Sequence, residues 1–295
     1  MSHARQVLAG NTVAIALCCS EGRYFLRPGG RVNRLIRFLL ARYAEKHGVK
    51  LHAYAFMGNH FHLILTDPKR RLPRFMGELD SMLSRVLNKQ LNRSGRLWES
   101  TPYRSWRLKS REDLLQHLVY LAANPVEAYV VRRPDLWPGV ISLPSHAGTR
   151  RRVTPPPGGL FGRGHEGSAL PAEAFLEVQV PPHFAKEGPE RYRQLFQSAL
   201  DAYLERLHAR GGSYSGRESA KRLDPFSAPK SSLGGPSFGL IPSLSNATRE
   251  DREDLKIWRH SVRAAFYRWQ VNKATRFPQG TWLVVERHKA RLVAG

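Results

Sequence analysis

Two short apolar segments separated by a tight turn constrain the fold of this chain more than any other feature. The segments are Leu51–Phe56 and His60–Leu65, and only Met57, Gly58 and Asn59 lie between them. Apolar runs of this length that are joined by a Gly-Asn turn are typical of a β-hairpin. We therefore expect an antiparallel sheet built around this hairpin.

The flanking segments carry alternating strand and helix patterns. Residues 12–18 form a short apolar run, and residues 103–108 form a second candidate strand. Apolar residues recur every three or four positions over 31–47, 72–91 and 111–124, which predicts three helices. The order β-α-β-β-α-β-α predicts an α+β fold with a ferredoxin-like or RRM-like antiparallel sheet and helices on one face.

The net charge indicates a polyanionic partner. The chain of 295 residues has 47 Lys and Arg against 24 Asp and Glu, a formal charge of +23. Nucleic acid is the commonest polyanion that binds strongly basic proteins. An apolar content of 41% excludes full disorder, and the absence of a long apolar run predicts no membrane partner. The adjacent Cys18 and Cys19 exclude a disulfide scaffold, which fits a reducing, cytoplasmic compartment.

His60 and His62 flank Phe61 on the second strand of the hairpin. Residues two apart share one face of a strand, so the two imidazoles project together while Phe61 points to the other face. Neighbouring imidazoles can bind a divalent metal. The alternative is a chance pair on an exposed strand, since the chain has twelve histidines.

The third predicted helix carries a polar stripe. Gln116, Tyr120 and Asn124 recur every four residues, opposite a leucine-rich side. Tyr120 could be an amphipathic surface residue. The functional interpretation is a nucleophile that faces the metal, with Asn124 one turn later as an oxygen ligand suited to Mg²⁺ or Mn²⁺.

Two segments resemble the HUH single-strand transposases, in particular the REP-associated tyrosine transposase branch. Residues 54–65 are similar to the family's hairpin, and residues 119–128 are similar to its Tyr-containing helix. The likeness covers roughly residues 10–145. There are departures from the family pattern: Gly58 replaces a Pro, Ala122 a His, Ala123 a Leu, and Glu127 a frequent Arg.

The resemblance implies an enzyme that cleaves and rejoins single-stranded DNA at hairpin-forming repeats. His60, His62 and Asn124 would hold Mg²⁺ or Mn²⁺, and Tyr120 would attack the phosphate to give a 5′-phosphotyrosine. The protein would act as a monomer or a homodimer, since in some relatives the Tyr helix of one subunit serves the other's histidines. A cytoplasmic, nucleoid-associated location follows from such a substrate.

DNA contacts are predicted on the strand before the third helix. Arg104, Trp106, Arg107 and Lys109 combine basic and aromatic side chains, which suit phosphate pairing and base stacking on single-stranded DNA. Strand alternation places Arg104 with Trp106 on one face and Arg107 with Lys109 on the other. Glu99 and Gln116 are weak candidates for accepting the proton of the Tyr120 hydroxyl.

Three domains are predicted from composition: a catalytic domain over 1–145, a Pro- and Gly-rich linker over 146–188, and a basic, mostly helical region over 189–295. The last region contains helical patterns at 190–207 and 249–270, a flexible segment near 224–247, and a candidate strand at 282–285.

Two other functions stay open. One is a non-catalytic regulator that binds single-stranded DNA or RNA and retains the fold; the intact His60, His62, Tyr120 and Asn124 favour the enzyme over it. The other is an unrelated RNA-binding protein on a ferredoxin-like sheet, which predicts exposed aromatic residues on adjacent strands. The sequence has only histidines there.

Overall fold

The computed structural model describes residues 6–100, 103–160, 171–229 and 249–293. The strands are β1 (Asn11–Cys18), β2 (Lys50–Phe56), β3 (His60–Asp67), β4 (Arg104–Arg107), β5 (Val140–Ile141), β6 (Thr149–Val153) and β7 (Ala174–Val178). The helices are α1 (Gly30–His47), α2 (Leu72–Gln90), α3 (Arg111–Glu127), α4 (Gly188–Ala209), α5 (Arg217–Arg222), α6 (Arg249–Val271) and α7 (Leu283–His288).

The main sheet has five strands in the order β4-β1-β3-β2-β5, and each neighbouring pair is antiparallel. The predicted hairpin forms β2 and β3, and β3 lies at the centre of the sheet. Both faces of β3 are buried along its whole length. The predicted α+β fold with an antiparallel sheet is confirmed.

Helices cover both faces of the sheet, which differs from the prediction of helices on one face. On the first face, α1 and α2 pack over the large side chains of the strands, including Phe61. On the opposite face, α3 and α4 pack over Ala14, Ala53, Ala55 and Ile64. Small alanine side chains let these helices approach the sheet closely, so the central strands are buried on both faces, whereas the edge strand β4 is exposed.

Local signals set the ends of the helices. α1 ends before Gly48, which adopts the left-handed conformation with φ of 65°. α3 begins after Ser110, whose hydroxyl accepts a hydrogen bond from the backbone N–H of Asp113 at 3.0 Å. α3 continues to Glu127 although Pro125 predicts an end at Asn124. Pro125 lies in the last turn, which the N–H of Ala128 closes by donating to the Asn124 carbonyl.

The predicted linker contains ordered structure. β6 and β7 pair with each other, and Val153, Ala174, Leu176 and Val178 join the core beneath α1. Residues 161–170 of this segment, and most of the predicted flexible segment near 224–247, lie outside the described residues. The candidate strand at 282–285 is instead the start of α7. None of the helices in the described part of the chain is long and apolar enough to span a membrane.

Candidate active site

The register of β3 directs His60 and His62 toward α3. Their ring centroids lie 5.0 Å apart, with the planes at 77°. Phe61 points to the opposite face, where its ring stacks on Phe56 at 4.8 Å and meets the edge of Trp98 at 5.4 Å. The aromatic packing of Phe61 therefore fixes the strand that presents the two imidazoles.

The hydrogen bonds of Asn59 define the tautomer of His60. The Asn59 amide nitrogen donates to the Gly22 carbonyl at 3.0 Å, so its oxygen faces His60 Nδ1 at 2.8 Å. Nδ1 therefore carries the proton and donates to Asn59, which leaves a lone pair on Nε2. His60 Nε2 lies 3.2 Å from Asn124 Oδ1, so two acceptor atoms face each other.

Both histidines are held in the neutral form. Burial lowers the pKa of His60 to about 4, and Asn124 Oδ1, which would accept a hydrogen bond from the protonated ring, offsets part of this effect. Burial also lowers the pKa of His62 well below its usual value, and the neighbouring His60 and His117 lower it further. Neutral imidazole is the form that binds metal ions, so the electrostatic environment favours ligation.

Tyr120 and Asn124 lie on the side of α3 that faces the histidines. The Tyr120 ring is 6.0 Å from the His62 ring of the same chain, in an edge-on orientation. The Tyr120 side chain is half-buried, so it is neither enclosed among the leucines nor fully in solvent. One chain thus brings Tyr120, His62, His60 and Asn124 together; their chemical roles stay predictions.

Burial and a carboxylate determine the electrostatics of Tyr120. Burial raises the pKa of Tyr120, the negative charge of Glu127 raises it further, and a hydrogen bond with Asn124 lowers it. Glu127 is itself held by Tyr203 of α4, whose hydroxyl donates to Glu127 Oε1. A helix from the C-terminal region therefore contributes to the surroundings of the candidate nucleophile.

His117 also lies at this site, although the polar stripe of α3 read from the sequence did not include it. This buried residue of α3 lies one turn before Tyr120, and its Nδ1 is 2.8 Å from the Asp113 carbonyl and 3.1 Å from Asp113 Oδ1. The spacing was a usable signal, because residues 117, 120 and 124 fall on one helical face. By contrast, nothing in the sequence indicated Tyr203, since helix pairing decides its contact with Glu127.

The predicted DNA-contact residues occupy the edge strand β4 and the segment after it. Arg104 pairs with Ala16, which pairs with His62, so these residues form one row across three strands. With strands about 4.8 Å apart, the Cα atoms of Arg104 and His62 are about 10 Å apart on the same face. Trp106 shares this face, whereas Arg107 points to the other one, as alternation predicts. Lys109 is exposed beyond the strand.

The two weak candidates for a proton acceptor lie in different surroundings. Gln116 is exposed on α3. Glu99 is half-buried beside Cys18, whose pKa rises to about 11 through burial and through the negative charge of Glu99. Cys18 pairs with His60 across β1 and β3, so Glu99 borders the face that carries the histidines.

The donor set fits a divalent cation. His62 Nδ1 is buried and has no hydrogen-bond partner in the described part of the chain. Imidazole nitrogens and amide oxygens are atoms that bind divalent metals, and those of His60, His62 and Asn124 lie close together. Within the described ranges, no group of three or more His, Cys, Asp or Glu side chains could hold a metal ion. A site of two histidines and one amide therefore needs oxygen atoms from water or phosphate to complete its coordination.

The N-terminal part of the chain matches a known family model. Residues 15–112 match the model described as "Transposase IS200 like". This range contains His60 and His62 and ends before Tyr120. The match confirms the resemblance found in the sequence over these residues, and it supports a transposase. Among curated proteins, no sequence is similar enough to count as a match.

Three solved structures show partial likeness. A REP-associated tyrosine transposase bound to a REP hairpin has 15% identity and a TM-score of 0.40, over 47% of this chain and 81% of that chain. A "putative transposase" from Deinococcus radiodurans R1 has 20% identity and a TM-score of 0.29, over 40% and 95%. A bacterial tRNA(His) guanylyltransferase-like protein in complex with GTP has 9% identity and a TM-score of 0.35, over 66% and 93%.

Proposed function

We propose that this protein is a metal-dependent transposase that cleaves and rejoins single-stranded DNA through a 5′-phosphotyrosine on Tyr120. The observation that carries the proposal is the 6.0 Å separation of the Tyr120 and His62 rings within one chain, beside the His60–Asn124 pair. Hairpin-forming repeats are the proposed substrate because of the sequence resemblance to the REP-associated branch. Such a substrate places the protein with the nucleoid.

The chemistry is the transfer of a phosphodiester to a phenol oxygen. The Tyr120 oxygen attacks phosphorus, the bond from phosphorus to the 3′ oxygen breaks, and the electron pair stays on that oxygen, which takes up a proton. A divalent cation held by His60, His62 and Asn124 would polarise the phosphate and favour in-line attack. Attack of a 3′-OH on the phosphotyrosine reverses the reaction and rejoins the strand without ATP.

The Tyr120 proton must leave as its oxygen bonds to phosphorus. Because burial and Glu127 raise the pKa of Tyr120, the hydroxyl is protonated at neutral pH before substrate binds. The hydrogen bond with Asn124 favours the phenolate, so Asn124 would orient the oxygen as well as ligate the cation. Neutral His60 and His62 supply lone pairs and no proton to this step.

The substrate strand would cross the sheet edge at β4. Arg104 lies in the row of His62, on the face where Tyr120 stands, and can pair with a phosphate beside the scissile one. Trp106 follows on the same face, half-buried, with an aromatic surface for one base. We propose that Arg107 and Lys109 contribute charge from the other side of the edge rather than contacts at the cleaved bond.

The test is cleavage of end-labelled hairpin DNA by the full chain in Mg²⁺ or Mn²⁺. Tyr120→Phe should abolish cleavage and leave DNA binding within about twofold, because only one hydroxyl is lost. Tyr129→Phe is the matched control: Tyr129 is an exposed tyrosine just beyond the same helix. Unchanged cleavage by Tyr120→Phe would refute the nucleophile, and undiminished cleavage in EDTA would refute the role of the cation.

A mixture of two inactive variants tests whether one chain carries the whole site. We expect Tyr120→Phe and His62→Ala to stay inactive when combined, because each chain pairs its own tyrosine with its own histidine. Restored cleavage would instead indicate that subunits exchange helix α3. A protein that binds hairpin DNA strongly and cleaves it under none of these conditions would be the non-catalytic regulator.

A further inference from the structure

A cluster of cationic and hydroxyl groups lies on the sheet face opposite the histidines. Tyr54 of β2 points toward α1, and its side chain is only 1% exposed. Arg151 of β6 donates from Nη2 to the Tyr54 hydroxyl at 3.2 Å. Arg37 of α1 approaches the same tyrosine, and His146 lies close enough to both arginines for their charges to lower its pKa, in addition to burial.

These groups offer hydrogen-bond donors that nothing in the described part of the chain accepts. Arg37 Nε is buried and has no hydrogen-bond partner there. The Tyr54 hydroxyl accepts from Arg151, so its own proton is available. His146 Nδ1 accepts from the Leu143 backbone N–H at 3.0 Å, which leaves the proton of the neutral ring on Nε2.

Carboxylates do not balance this charge. Within the described ranges, neither Arg37 nor Arg151 has an ion pair, although the flanking Arg152 pairs with Glu173. The burial of Arg37 and the nearby charge of Arg151 both lower the pKa of the Arg37 guanidinium. Holding two cations together and partly out of water, with unused hydrogen-bond donors, costs folding free energy. A bound anion would offset this cost by pairing with both cations and accepting from the donors.

We propose that Arg37, Arg151, His146 and Tyr54 form a binding site for a phosphate group. Guanidinium groups match the geometry of phosphate oxygens, and a hydroxyl and an imidazole N–H complete the set of donors. The Arg151 side chain is exposed, so the site opens to solvent. The phosphate belongs either to a free anion or to a DNA backbone held on the face away from Tyr120.

The first arm of the test measures thermal unfolding of the full chain while inorganic phosphate replaces chloride at constant ionic strength. Phosphate should raise the Tm of the wild type saturably, and Arg151→Gln and Tyr54→Phe should weaken the apparent affinity by about tenfold or more. Arg150→Gln is the matched control. It removes the same charge from the preceding residue, whose side chain stacks on Phe175 on the other face of β6.

The second arm measures the affinity of the same variants for hairpin DNA. A loss of about tenfold or more in Arg151→Gln relative to Arg150→Gln, with no specific effect of inorganic phosphate, assigns the site to a backbone phosphate. A specific effect of inorganic phosphate, without a selective loss of DNA affinity in Arg151→Gln, assigns the site to a free anion. If Arg151→Gln and Arg150→Gln behave alike in both arms, the site does not exist. Both arms measure binding alone, so they give an answer even if the chain cleaves no DNA.

Discussion

Acid should destabilise this protein steeply between pH 6.5 and pH 4, and His52 provides the clearest test. His52 is 2% exposed in β2. Its Nδ1 is 2.9 Å from the Gln179 carbonyl and its Nε2 is 2.8 Å from Thr66 Oγ1, so the neutral ring is fully hydrogen-bonded. Thr66 in turn bonds to Thr12 at 2.8 Å, which extends the buried network to β1.

The magnitude follows from the pKa. Burial lowers the pKa of His52 from 6.5 to about 4, while the hydrogen bond with Gln179 raises it slightly. Between these values the unfolded chain binds one proton more than the folded chain, so stability falls as the pH falls. A difference of about 2.5 pKa units corresponds to about 3 kcal/mol. Above pH 6.5 and below pH 4, His52 adds no further pH dependence.

Urea unfolding of the metal-free protein at a series of pH values measures this effect. The pKa is also lowered at His47, His60, His62 and His146, so the wild-type slope should exceed the contribution of about 1.4 kcal/mol per pH unit that His52 makes alone. His52→Gln should reduce the slope by up to about 1.4 kcal/mol per pH unit, whereas the exposed His260→Gln serves as the control. An identical slope in His52→Gln and the wild type would refute the buried neutral histidine.

Other substitutions test separate parts of the account. Asp67→Ala should cost about 3 kcal/mol in urea unfolding, because the carboxylate accepts three backbone N–H groups at the start of α2; a cost below about 1 kcal/mol would contradict this. Gly139→Ala should lower the Tm, since a Cβ there would lie 2.3 Å from Trp137 Nε1. Glu127→Gln removes a negative charge that raises the pKa of Tyr120, so the pH at which loss of the Tyr120 proton affects the cleavage rate should fall. A shift of that pH to a higher value would argue against the contact.

The side-chain periods of strands and helices were sufficient to predict the elements that present the candidate site. The two-residue period of β3 places His60 and His62 together, and the four-residue spacing on α3 places Tyr120 with Asn124. Both patterns are local, so they need no knowledge of tertiary packing. That α3 lies over the His60–His62 face was an additional hypothesis, since neither pattern says which face of the sheet a helix covers.

The order of the elements did not show that helices cover the second face of the sheet, the face that carries the histidines. The residue pattern of the strands did indicate it. Ala14, Ala53 and Ala55 alternate with large residues, which indicates a sheet that is buried on both sides and closely approached on one. The contact of Tyr203 with Glu127 joins residues 76 apart, and the packing of α4 on α3 alone creates it. Likewise, α7 forms where a short apolar run had predicted a strand, because four-residue runs fit either structure.

Mapping the covalent DNA adduct tests the central claim most directly. The full chain would be incubated with hairpin DNA and Mg²⁺, digested with nuclease and protease, and analysed by mass spectrometry. We predict one nucleotide-modified peptide, with the phosphate on Tyr120, that is absent when EDTA is present. An adduct on another residue, or cleavage with no adduct at all, would contradict the account.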